Sequence, residues 1–166
     1  MSELVLLSFS HIFIVFICIV SIVFIPKLFK HSSALTHSYL TYFIISLIMI
    51  NQGMDLYREG YLDEWKLGLP LHLCDFSSFS ILIYLLTKKR DFFIFAFFFG
   101  IAGAGMSILT PDTGYGFPAV GYIQNQIGHT AIILGVSYAM VIDNQRPYFK
   151  DVARALGFAT FLLFIM

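Results

Sequence analysis

Long apolar runs alternate along the chain with short polar stretches, and the run lengths set the first expectation. A helix that crosses a bilayer needs about 20 mostly apolar residues. The run from Val5 to Ile25 has that length and is expected to end at Pro26. Further runs cover about 39–55, 69–87, 92–109 and 119–142. The third opens on Leu69 and Pro70, at a helix start, where proline is tolerated. A last run, 152–166, offers only about 15 residues, short for a crossing at about 1.5 Å per residue. This pattern predicts an all-α fold, a polytopic transmembrane helical bundle of six spans with the last incomplete, forming a single domain over 1–166. The chain reads as truncated at its C-terminus. Helix faces left without their last partner predict poor stability or homo-oligomerisation.

Composition agrees with a membrane setting. Of 166 residues, 58% are hydrophobic and 12% charged, against about 25% charged in a soluble domain. Mean hydropathy is +0.83, and Phe supplies 19 residues where Trp supplies 1. An ordinary soluble enzyme and a disordered chain are excluded. The ten Lys/Arg balance ten Asp/Glu, so the basic excess that a nucleic-acid partner requires is missing. The first run is not a signal peptide, because Glu3 stands where positive charge is needed and the apolar stretch is too long. Cys18 and Cys74 alone build no disulfide framework.

The placement of the charges changes the picture more than their sum. Lys27 and Lys30 follow the first run, Lys88, Lys89 and Arg90 the third, and Arg146, Lys150 and Arg154 the fifth. The intervening loops hold only Arg58 and Lys66, beside Asp55, Glu59, Asp63, Glu64 and Asp112. Positive loops face the cytoplasm, so the N-terminus is expected outside, in a multi-pass protein of the cell membrane.

With that orientation, polar residues inside the spans gather in one leaflet. His11 falls in the outer half of span one. Gln52 and Asp55 (with Asn51) fall at the outer end of span two, His72 and Asp75 in the first turns of span three, and Gln124, Gln126 and His129 in the outer half of span five. Intramembrane polar groups are costly and point to function. A polar cavity open to the outer side is expected, lined by these residues. His72 and Asp75 are spaced i,i+3, as are Gln52 and Asp55, and Gln126 and His129, which puts each pair on one helix face. Cys74 points about 160° away from His72 at the helical 3.6 residues per turn. Ala96, Gly100 and Ala104 form a small-residue stripe in span four, read as a packing face rather than a ligand groove. His31 and His37 belong to a cytoplasmic loop, and the turn formers of 110–116 to an outer turn.

Two chemistries suit His72, Asp75 and His129. A carboxylate can orient an imidazole that serves as general base toward water or a side-chain nucleophile. The same residues, with His11, could instead ligate a divalent metal with one position open. Neither has a local signature as strong as H-E-x-x-H; no metal site is assigned, and a divalent metal stays open as a cofactor without being favoured. A purely structural hydrogen-bond network is the remaining alternative.

The run Leu69–Pro70–Leu71–His72–Leu73–Cys74–Asp75 resembles the LPLHLC motif of the bacterial YwaF-like integral membrane proteins. Leu109–Thr110–Pro111–Asp112, Gly114–Tyr115, Phe117–Pro118 and Tyr122–Ile123–Gln124, ending at His129, resemble that family's second block, and Phe9–Ser10–His11 its N-terminal segment. The likeness covers nearly the whole chain in the same order. That family is similar in architecture to eukaryotic membrane proteins that transfer acyl groups between lipids or hydrolyse fatty-acid esters with a Thr or Cys nucleophile and a histidine. The resemblance implies His129 as that histidine. Where the acyltransferase pattern has a cysteine directly before a histidine, this chain has Leu71 before His72, so that nucleophile does not carry over, and Cys74 and water are the candidates. The expected function is an outer-leaflet lipid ester hydrolase or acyltransferase with membrane lipids as partners. The alternatives are a binding or transport protein for a small solute or metal, and a structural membrane subunit.

Overall fold

A computed structural model of the protein describes residues 6, 8–57 and 73–165. Among the described residues every regular element is helical. Helix α1 spans Phe9–Phe29 and α2 Ala34–Asp55. Ser8 and Ser33 cap their N-termini, accepting the backbone N–H groups of His11 and Thr36, as short hydroxylated residues do where the first N–H groups lack partners. Helix α3 spans Leu73–Thr87 and ends at Lys88, whose φ of 57° takes the chain out of the helix. Helix α4 runs Arg90–Leu109 with a π-helical turn at Ala96–Gly100. Helices α5, Val120–Val141, and α6, Asp151–Ile165, follow.

Three boundaries differ from expectation, the first being the start of α1 at Phe9, after the Ser8 cap, rather than at Val5. Helix α1 passes through Pro26 and ends at Phe29. A proline so near the end breaks little of the remaining ladder, and neighbouring groups in a membrane bundle can satisfy what it frees. Helix α2 starts at Ala34 rather than 39, because the Ser33 cap draws residues 34–38, with their polar Thr36, His37 and Ser38, into the helix. His37 therefore sits in a helix instead of a loop, its Nε2 donating to the Phe29 carbonyl at 2.8 Å.

Among the described residues three helices are long and apolar enough to cross a membrane, Phe9–Leu28, Ala34–Asp55 and Arg90–Leu109, and Leu73–Thr87 is a shorter apolar helix. Six spans with the last incomplete are expected, and these helices bear that out in part. Helix α5 has the length, at 22 residues, but Gln124, Asn125, Gln126 and His129 interrupt it. Its position explains the tolerance: α5 packs against α1, α2, α3 and α4, so protein rather than lipid surrounds its polar groups. The core runs from Ile44 and Ile48 of α2 through Ile81 and Tyr84 of α3 to Phe93, Ala96 and Ala104 of α4 and Ala131, Ile132 and Val136 of α5. At Gly100 a Cβ would stand 3.1 Å from Ile132 Cγ2 and 3.5 Å from Ser77 Cβ. The small-residue stripe of α4 is thus a packing face, as expected. Phe9, Phe16, Phe24 and Leu28 of α1 and Leu35 and Tyr39 of α2 point outward, an apolar wall suited to hydrocarbon.

An ion-pair knot closes the end rich in Lys and Arg. Arg90 donates to both carboxylate oxygens of Asp151, at 3.0 and 2.6 Å, and to the Arg146 carbonyl at 2.8 Å. Lys88 pairs with Asp143 at 2.7 Å, and Tyr84 donates to the same carboxylate at 3.0 Å. Asp151 precedes the apolar stretch of α6, and the Arg90 guanidinium holds its carboxyl well below the usual range, at about 2, helped by the Tyr148 N–H. Because the pKa is depressed by folding, the pair's stabilisation is complete above the ordinary carboxylate value, about 3.9, and is lost as pH falls through about 2. Asp151→Asn is expected to lower the Tm of detergent-solubilised protein near neutral pH, with the gap to wild type closing near pH 2. An equal gap at both pH values would remove the ionised pair from this account.

Candidate functional site

A cavity of about 570 Å³ lies between α2, α3, α4 and α5. Helix α5 presents Asn125, Gly128, His129 and Ile132 to it, positions i, i+3, i+4 and i+7 of one face. Helix α2 contributes Asn51, Gln52 and Asp55, α3 contributes Cys74, Asp75 and Ser78, and α4 contributes Ser107, with Asp112 from the following loop. Polar residues from four helices, far apart in sequence, meet inside an apolar bundle.

Their hydrogen bonds divide the cavity wall into two carboxylate groups. Asp55 accepts from Asn51 Nδ2 at 2.9 Å and from Gln124 Nε2 at 2.6 Å. Asp75 accepts from Gln52 Nε2 at 3.1 Å. The first group ties α2 to α5 and the second ties α2 to α3. Asn125 Nδ2 donates to the Ser107 carbonyl at 3.0 Å, joining α5 to α4. The bond that matters most for chemistry is within α5: His129 Nδ1 lies 2.8 Å from the Asn125 carbonyl oxygen. A carbonyl only accepts, so Nδ1 carries the proton and, in the neutral imidazole, Nε2 carries the lone pair. The hydrogen bond thus fixes Nε2 as the nitrogen that can accept a proton.

Gly128 makes the arrangement possible. A Cβ there would collide with the side-chain amide of Asn51. The absence of a side chain lets Asn51 reach across to α5 while it binds Asp55. At α4, a Cβ on Gly103 would stand 3.1 Å from Cys74 Sγ, so the thiol rests against a helix that approaches closely.

The structure gathers Gln52, Asp55, Cys74, Asp75 and His129 around one cavity. Cys74 lies there with Asp75, although its predicted direction set it apart from His72. His72 itself lies outside the described residues, as do residues 69–71 of the same motif. Gln124 is buried and reaches the cavity through Asp55 rather than lining it.

Two expected members are elsewhere. His11 is buried between α1 and α5, its Nε2 donating to the Leu109 carbonyl at 3.0 Å and its Nδ1 accepting from the Tyr122 hydroxyl at 2.8 Å. Both ring nitrogens are used, so His11 fastens helices and has no nitrogen left for a substrate. Gln126 donates to the Ile108 carbonyl at 3.2 Å and lines a separate, largely apolar cavity of about 450 Å³ with Cys18 and Tyr122. The i,i+3 pairing of Gln126 with His129 fails because neighbouring helices divide that face of α5 between them. His11→Phe is expected to lower stability by about 1–3 kcal/mol, since it strips the buried Tyr122 hydroxyl, and the Leu109 carbonyl, of a partner. Thermal unfolding checks it; an unchanged Tm would show that neither group depends on the imidazole.

Asn125, Ser78 and Ser107 are cavity residues that the sequence reading passed over. Asn125 carried a legible signal, four residues before His129. The serines carried none, because a serine in an apolar helix commonly bonds its own backbone, as Ser77 does to Leu73. Among the described residues no group of three or more His, Cys, Asp or Glu is placed to hold a metal ion.

Fold and cavity together define a class: a multi-helix membrane protein whose apolar bundle holds an acid- and amide-lined cavity with, among the described residues, one histidine. Within that class the chain belongs to the TMEM164 family, a membrane protein family whose model matches residues 5–166. No curated protein and no solved structure matches the chain.

Proposed function

We propose that the protein is a membrane enzyme acting on lipid esters, a hydrolase or acyltransferase, with His129 as general base. The observation that carries the reading is the convergence of Cys74, Asp75 and His129 on one polar cavity within an apolar bundle. His129 Nε2 takes the proton from the Cys74 thiol or from water as the nucleophile attacks the ester carbonyl. The tetrahedral adduct collapses by breaking the bond to the alkoxide, which receives the proton back from the imidazolium. With Cys74 as nucleophile the acyl group passes through a thioester to an alcohol or to water. With water as nucleophile the products are the fatty acid and the alcohol. Asp75, held by Gln52, stabilises the imidazolium from the cavity wall.

The proposal includes the placement argued from loop charge, a bacterial cell membrane with the N-terminus outside, and the likeness of the 69–75 run to YwaF-like proteins. Membrane lipids are the partners. Purified protein offered a panel of lipid esters tests the reading. Turnover lost in Cys74→Ser and His129→Ala supports a thiol nucleophile, and turnover lost only in His129→Ala supports water. Wild-type protein inert toward every ester, but retaining a small solute through purification, would favour a binding protein instead.

A further inference from the structure

The knot at the Lys/Arg-rich end leaves part of its charge uncompensated. Lys88 is paired with Asp143, Arg90 with Asp151, and Arg154 faces Asp91 at 3.9 Å. Lys89 and Lys150 are exposed and have no carboxylate partner among the described residues. They are immediate chain neighbours of Arg90 and Asp151, whose double hydrogen bond draws the two loops together. Tyr148 stands between the cations, with Arg90 Cζ 5.0 Å and Lys150 Nζ 5.6 Å from its ring centre. Beside it Phe149 is 93% exposed.

A phenyl ring so exposed, next to unpaired lysines and a half-exposed tyrosine, is poorly suited to bulk water. It suits the headgroup layer, where aromatic rings meet the acyl boundary and lysines meet phosphate. We infer that Lys89, Lys150, Tyr148 and Phe149 form a docking surface for anionic phospholipid headgroups of the adjoining leaflet. Charge complementarity selects the occupant: two ammonium groups without a carboxylate partner among the described residues, beside an apolar anchor, favour a lipid with net negative charge over a zwitterionic one. The inference depends on the chain spanning a membrane, and it is independent of any reaction at His129.

The full chain, reconstituted in phosphatidylcholine vesicles with a minor share of spin-labelled phosphatidylglycerol or spin-labelled phosphatidylcholine, tests this. Wild type is expected to immobilise the anionic probe in excess over the zwitterionic one. Lys89→Gln with Lys150→Gln keeps both ion pairs and is expected to weaken that preference by about fivefold per lysine. Raised ionic strength is expected to shrink it as well. Lys89→Arg with Lys150→Arg should preserve the preference and shows that charge, not folding, is read. Equal immobilisation of both lipids by wild type, or an unchanged preference in the glutamine variant, overturns the inference. So does displacement of the probe by inorganic phosphate beyond that caused by sodium chloride of equal ionic strength, which would make the site one for free anions.

Discussion

His129→Ala is expected to reduce lipid-ester turnover by about 10²–10⁴-fold, the usual contribution of a positioned general base. The imidazole is the only His ring lining the cavity among the described residues. Its Nδ1 is committed to the Asn125 carbonyl, so one nitrogen performs the proton transfer and no second described histidine can replace it. His11 cannot, because both its nitrogens are engaged between α1 and α5. His129→Gln separates chemistry from packing. Its amide can fill the space and donate a hydrogen bond, but it cannot take a proton, so activity should fall as far as in the alanine variant while Tm stays closer to wild type. Turnover unchanged in both variants would remove His129 from the mechanism and, with it, the proposed function.

Gly128→Ala should be nearly as damaging by a different route. The added methyl would occupy the position of the Asn51 amide. Asn51 would have to leave, releasing its bond to Asp55, or α2 and α5 would have to separate. Overpacking of this kind costs about 1–3 kcal/mol. Because Asp55 also accepts from Gln124, the shift should reshape the cavity wall and lower turnover as well as Tm. Gly105→Ala is the control: nothing stands within 4 Å of a Cβ there, and alanine is favoured over glycine in a helix by about 1 kcal/mol. Thermal unfolding and turnover measured on both variants decide the matter. If Gly128→Ala behaves like Gly105→Ala, the close approach of Asn51 to α5 has no energetic weight.

Much of the fold is legible in the chain because helix length is a local property. The apolar runs at 92–109 and 119–142 agree with α4 and α5 within two residues, whereas the caps at Ser8 and Ser33 went unread and α1 and α2 begin at Phe9 and Ala34 rather than at 5 and 39. The cavity is partly legible for a related reason. A carboxylate or amide in an apolar run must find a polar neighbour, so Gln52, Asp55, Asp75, Gln124 and His129 were bound to have polar company somewhere. Which company was not legible. Gln126 and His129 share a spacing but face different cavities, and His11 meets Tyr122 rather than Asp75.

By itself the sequence determined that the chain is a helical membrane protein, roughly where its helices run, and that polar residues collect in spans one, two, three and five. Tertiary structure alone decided that α5 is the central helix, that Cys74 shares the cavity with Asp75 and His129, and that His11 and Gln126 are fasteners outside it. The physical reason is that helical periodicity gives a side chain's direction about its own axis and nothing about which neighbour lies there. In water, burial of apolar faces would supply the missing information. In a bilayer an apolar face is as well placed against lipid as against protein, so neighbours are selected by close packing, as at Gly128 and Gly100, and by hydrogen bonds between distant helices.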